Sequence, residues 1–201
     1  MGYTFLAERA VEEKIVKLFE EASSLALECG RKNAALILQM ARELIRCFEQ
    51  GNKLLLFGNG GSASQAQHFA AELVNKMAVY RVPLPAIALT TDTSIITSIG
   101  NDLQFSDIFY RPIEALGRPG DVAWGLSTSG TSPNVLKGLA KARELGMRTI
   151  AFAGRDGSAM AQHADLCLTV AADNTARIQE MHLCAGHAVC AVVEEHFLSK
   201  K

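Results

Sequence analysis

Two stretches of the chain follow one plan. KLLLFGNGGSAS at 53–64 and DVAWGLSTSGTS at 121–132 each pass from a short apolar run into a loop of Gly and Ser, then into a helical pattern. A strand that opens directly into a helix reaches a neighbouring strand by a crossover, which selects a parallel sheet with helices on its faces. The rest of the chain keeps the alternation, with apolar runs PAIALT at 85–90, RTIAFAG at 148–154 and DLCLTV at 165–170. Periodicity predicts helices over 3–29, 33–50, 63–79, 94–99, 106–116, 133–145 and 175–198. Gly51, Gly100 and Gly146 fit helix-ending positions, and Pro133 suits a first helical turn. No linker or low-complexity segment interrupts this pattern, so residues 1–201 are expected to form a single domain. Residues 1–50 are its N-terminal helical segment and 51–201 an α/β core with a long C-terminal helix.

Composition limits the partners. With 49% hydrophobic residues in 201, the chain can bury one sizeable core. Its formal net charge of −1 leaves no basic excess to hold a nucleic-acid backbone, so no nucleic-acid partner is expected. No apolar run reaches membrane-spanning length, and the first residues lack a basic segment followed by an apolar core. No membrane association is expected. The five cysteines form no CxxC pair and read as reduced thiols filling the core of a cytoplasmic protein.

In open α/β sheets, ligands bind beyond the carboxyl ends of the strands, where both Gly/Ser loops would lie. Backbone N–H groups at a helix start, together with serine hydroxyls, form an anion site. GNGGSA matches the letters of a dinucleotide fingerprint. However, the acidic residue expected about 20 positions on comes late, at Asp92, after too long a helix. Neither loop has the Gly-Lys-Ser/Thr ending of a nucleotide-triphosphate loop. A monophosphate fits better, held by neutral donors because neither loop contains Lys or Arg. No nucleotide cofactor is expected.

Two polar sets lie on helices. His68 and Glu72 are four residues apart and share a face. On the terminal helix, ARIQEMHLCAGH offers Gln179, His182 and His187. His182 and His187, five apart, point to different faces, and spacing does not choose between them. His163 and His196 are read as surface or core residues.

GNGGSASQAQHFAAEL, GND at 100–102, STSGTS at 127–132 and ARIQEMH at 176–182 together resemble the sugar isomerase (SIS) family, most closely its phosphoheptose isomerase branch. The likeness runs from the N-terminal helices to about residue 197. It implies a flavodoxin-like three-layer sandwich, a five-stranded parallel sheet with helices on both faces, and N-terminal helices used for oligomerisation. It further implies homotetramers with active sites at subunit interfaces. Carried over by position, Asn59, Gly60 and Gly61 match one substrate loop, and Asn101 and Asp102 a second substrate segment. Ser127, Thr128, Ser129 and Ser132 match the sugar-phosphate loop. Glu72 and His187 match the catalytic carboxylate and histidine, and Glu72 and Gln179 also contact substrate. His68, Glu72, Gln179 and His187 match a set for one zinc per subunit. Some relatives carry an acidic residue before the Arg of the RIQE motif; this chain has Ala176 there, and no role is carried to it.

The implied reaction converts sedoheptulose 7-phosphate into D-glycero-D-manno-heptose 7-phosphate through an enediol, opening the synthesis of nucleotide-activated heptose. The alternatives are a non-catalytic adaptor of the same fold that binds the replication initiator protein, and a sugar-phosphate-binding regulator. The adaptors lack the counterparts of Glu72 and His187, and a regulator would need a DNA-binding segment that the N-terminal helices do not offer.

Overall fold

The computed structural model describes residues 8–155 and 157–198. Five strands form its sheet: β1 (Leu54–Gly58), β2 (Ala86–Ala88), β3 (Val122–Ser127), β4 (Arg148–Gly154) and β5 (Leu166–Val170). They pair in the order β2-β1-β3-β4-β5, and every pair is parallel. This is the expected flavodoxin-like order, and its topological switch lies between β1 and β3. Those are the two strands that carry the Gly/Ser loops. Leu54 pairs with Val122 and Gly58 with Leu126, so the loops leave the same edge side by side.

The helices are α1 (Glu8–Glu49), α2 (Gly61–Val74), α3 (Thr93–Asp102), α4 (Tyr110–Leu116), α5 (Pro133–Glu144), α6 (Ser158–Ala161) and α7 (Thr175–Leu198). The strand period of two divides the core. Leu54, Leu56, Trp124 and Phe152 face α1, α2 and α7, while Leu55, Phe57, Ala123 and Ala151 face α4 and α5. Both faces of the sheet are therefore covered, which is why its central strands read as unbroken apolar runs.

Several boundaries differ from the sequence expectation. The two N-terminal helices are one 42-residue helix; residues 3–7 lie outside the described residues. Gly30 does not break it, because one interior glycine costs only about 1 kcal/mol relative to Ala. A Cβ there would meet nothing within 4 Å. Gly100 likewise lies inside α3, which starts at the Asp92 cap (Oδ1 accepts from Ile95 N at 2.9 Å) and runs to Asp102. The helix expected over 106–116 divides into a 3-10 turn at Phe105–Asp107 and α4. α2 ends at Val74 rather than 79, because side chains elsewhere capture the next backbone groups. Carboxylate oxygens of Glu194 on α7 accept from the amides of Met77, Ala78 and Val79. Only Cys47 and Cys190 are buried; Cys184 is exposed.

His182, on α7, is fully buried against Phe152. Its Nε2 lies 3.2 Å from the Ala153 carbonyl oxygen and donates to it, which leaves Nδ1 bare and without a partner. Protonation would bury a charge, so burial pushes the imidazole down from 6.5 to about 4. The folded state holds this ring neutral while the unfolded chain protonates it. Stability is therefore complete above pH 6.5 and is lost as pH falls toward 4. Between pH 7 and pH 5 the loss is about 2 kcal/mol from this group. Urea unfolding of the wild type at the two pH values, beside His182→Gln, should show that increment only in the wild type. Equal pH dependence in both proteins would remove His182 as its source.

Candidate active site

The carboxyl edge of the sheet brings the two loops into contact. Asn59, just beyond β1, and Asn134, in the first turn of α5, exchange amide hydrogen bonds. Asn59 Nδ2 donates to Asn134 Oδ1 at 2.9 Å, and Asn134 Nδ2 to Asn59 Oδ1 at 2.8 Å. Asn134 Oδ1 also accepts from Val135 N, so this buried side chain fixes the start of α5 and the first loop together. Asn134 was not singled out from sequence. Its partner is 75 residues away, and the only local signal was its place just after the serine loop.

Within the second loop, the Ser127 hydroxyl lies 2.9 Å from that of Ser132 and 3.2 Å from that of Ser129. The amide of Thr131 donates to Ser129 Oγ. Three hydroxyls thus converge where β3 gives way to α5. Each can rotate its proton toward an anion, and the helix start adds backbone donors. Gly60 and Thr128 lie in the same two loops.

A second cluster forms between α2 and α7. His68 Nε2 is 2.8 Å from His187 Nε2, and the two nitrogens lie 3.1 and 3.4 Å from Glu72 Oε1. The imidazole contact requires one ring to donate and the other to accept, so at least one ring is neutral. The second carboxylate oxygen, Glu72 Oε2, is buried without a hydrogen-bond partner. Glu72 shields its side chain to 13% exposure, against 46% for His68 and 35% for His187. Cys190, one turn beyond His187, is held neutral by burial and by the Glu72 charge, both of which raise its thiol well above the usual range.

This approach depends on Gly186. A Cβ there would stand 2.1 Å from the Phe69 ring, so any larger residue would force α7 away from α2. Phe69 is itself fixed by stacking on Trp124 of the sheet, with ring centroids 5.4 Å apart, and it meets the His187 ring edge-on. Packing therefore makes the choice that spacing left open. His187 turns toward His68 and Glu72, and His182 turns into the core.

Two imidazole nitrogens and a carboxylate oxygen within 4.8 Å of one another form a donor set for a divalent metal. Glu72 Oε1, which faces both imidazole nitrogens, is the carboxylate donor of that set. Gln179 lies elsewhere in this chain, at the loop end of α7. A Cβ on Gly61 would be 2.3 Å from its side-chain nitrogen, and its carbonyl accepts from Gln65 Nε2 at 2.6 Å. Along α7 it stands about 12 Å from His187 at the standard helical rise. Asn101 and Asp102 are exposed at the end of α3, joined to each other by a 2.7 Å hydrogen bond.

A family model described as SIS domain matches residues 17–154. The phosphoheptose isomerase of Aquifex aeolicus is 52% identical over 183 residues, covering 91% of this chain and 96% of that protein. Among solved structures, phosphoheptose isomerase GmhA from Neisseria gonorrhoeae superposes with a TM-score of 0.87 at 40% identity, covering 92% of this chain and 99% of that one. A phosphoheptose isomerase from Francisella tularensis gives 0.88 at 38% identity, with 92% and 98% covered. With these relatives matched over nearly their whole length, the chain belongs to the SIS domain family, in its phosphoheptose isomerase branch.

Proposed function

We propose that this chain is an aldose–ketose isomerase that converts sedoheptulose 7-phosphate into D-glycero-D-manno-heptose 7-phosphate. The product would feed nucleotide-activated heptose for lipopolysaccharide or another heptose glycan. The observation that carries the reading is the convergence of Glu72 with His187 in a molecule that also gathers three serine hydroxyls at its β3 loop. A non-catalytic adaptor has no use for that convergence.

The ketose carries its carbonyl at C2. Glu72 takes a proton from C1, the C1–H electron pair becomes the C1=C2 double bond, and the C2 oxygen gains a proton. His187 then relays the hydroxyl protons: O1 gives one up as its carbonyl forms, and C2 receives a proton from the acid form of the base. The exchange is internally balanced and needs no external oxidant. Ser127, Ser129 and Ser132 hold the phosphate with Thr128, and Asn59, Gly60, Gly61, Asn101, Asp102 and Gln179 line the sugar. His68, Glu72 and His187 would hold one zinc per subunit, while Gln179, which the resemblance placed in that set, stands too far along α7 from His187 to join it within one chain. Bound zinc would supply polarisation of the substrate carbonyl.

The whole chain is read as one SIS domain working in the cytoplasm; no helix among the described residues is long and apolar enough to cross a membrane. It is read as a homotetramer with active sites between subunits. The exposed apolar positions of α1, Val11, Ile15, Val16, Leu18 and Phe19, support burial against another copy. The exposed Asn101 and Asp102 suit a contribution to a neighbour's site.

Glu72→Gln keeps the shape and removes the base. It should lower turnover of sedoheptulose 7-phosphate, followed as aldose formation by NMR, by about a hundred- to ten-thousand-fold. Near-normal turnover would sink the assignment. Zinc analysis should find metal in the wild type and in His182→Gln but not in His187→Ala; equal zinc in all three would reject the ligand set. Light scattering should give four times the chain mass, and a stable monomer would reject both the assembly and the shared sites.

A further inference from the structure

α2 stops two residues after Glu72, at Val74, and the chain that follows is held by two buried charged side chains outside the cluster described above. Glu194 accepts from the amides of Met77 and Ala78 at 2.9 Å and of Val79 at 3.2 Å. Arg81, with only 1% of its side chain exposed, brings its Nε to 3.9 Å from Glu194. From there Arg81 reaches back. Its Nη2 donates to the Glu72 carbonyl at 2.7 Å, and its Nη1 to the carbonyls of Val82 at 2.9 Å and Asn75 at 3.4 Å. The Glu72 carbonyl is one of the last in α2 and has no successor amide to accept from within the helix. Arg81 supplies that donor. Burial alone would raise the Glu194 carboxyl, but the three amides and Arg81 more than offset it and hold it below its ordinary value.

The arrangement has a direction. Glu194 is seven residues beyond His187, two turns along α7 on the same face. The face of α7 that presents His187 to Glu72 therefore also presents Glu194 to Arg81, and Arg81 grips the backbone of Glu72 itself. We propose that Arg81 and Glu194 are positioning residues that fix the last turn of α2 against α7, and so set the Glu72 carboxylate opposite His187. This rests on the reading of Glu72 as the base. A displacement of about 1 Å in such a group is enough to cost roughly a hundredfold in rate. A clamp this close to the reacting carboxylate should appear in kcat while leaving the phosphate grip, and hence KM, nearly unchanged.

The test is a double-mutant cycle on the full chain with sedoheptulose 7-phosphate. Arg81→Lys keeps the charge but cannot bridge three carbonyls. Glu194→Gln keeps the shape but loses charge and one acceptor. Folding and assembly are checked by circular dichroism and light scattering. Each folded variant is expected to lose about ten- to a hundredfold in kcat, with KM within about twofold. Adding Arg81→Lys to Glu72→Gln is expected to cause no further loss, because the clamp acts through a carboxylate already removed. Unchanged kcat in a folded variant, a full additional loss in the double variant, or failure of both single variants to fold would each overturn the proposal and leave the pair a purely structural anchor. Activity retained by Glu72→Gln alone would instead overturn the assignment of the base, which separates the two failures.

Discussion

The close approach of α2 to α7 is the constraint on which the site depends. Glycine inside a helix costs about 0.5–1 kcal/mol relative to Ala, yet α7 places Gly186 directly beneath the Phe69 ring. The ring cannot retreat, because Trp124 of the central strand β3 stacks on its other side. The order sheet, Trp124, Phe69, Gly186 sets the height at which α7 crosses α2. With that height fixed, His187 comes within hydrogen-bond distance of His68. Any side chain at 186 would push apart the two helices that supply the polar cluster, however well the rest of the core packed.

Much of the fold was legible because it is written in local pattern. The apolar runs gave all five strands, and the Gly/Ser loops announced which strand ends matter. The i, i+4 spacing put His68 and Glu72 on one face. What escaped was decided by partners far away in sequence. The end of α2 depends on Glu194, more than a hundred residues downstream, which draws the amides of Met77 to Val79 out of the helix. Asn134 earns its importance only from Asn59, across the sheet edge. The choice between His182 and His187 was not legible at all from their spacing. One ring faces the Ala153 carbonyl and the other faces His68, and only the packing of α7 between sheet and α2 separates those fates.

The two polar clusters differ in their electrostatics. The cluster at Glu72 is built from titratable groups in contact, which suits proton transfer. The serine loop is built from hydroxyls and amides with no cation of its own. An anion bound there would meet fixed dipoles rather than an ammonium or guanidinium.

The direction in which the helices run supplies positive potential at the Gly/Ser loops without a cation. Gly61 meets Gln179, Phe69 meets Gly186, and Met77, just beyond α2, meets Glu194, so contacts advance together along α2 and its continuation with α7. The two helices therefore point the same way, and both begin at the carboxyl edge of the sheet, as α5 does after β3. Each start leaves amides without partners inside its helix and carries the positive end of a helix dipole. Parallel strands with right-handed crossovers make this alignment unavoidable. The sheet topology itself thus collects partial positive charge around the loops at 59–61 and 127–132. The reciprocal Asn59–Asn134 pair then locks two of those helix starts into one unit. An anion bound between them is met by preformed donors whose orientation the sheet has already fixed.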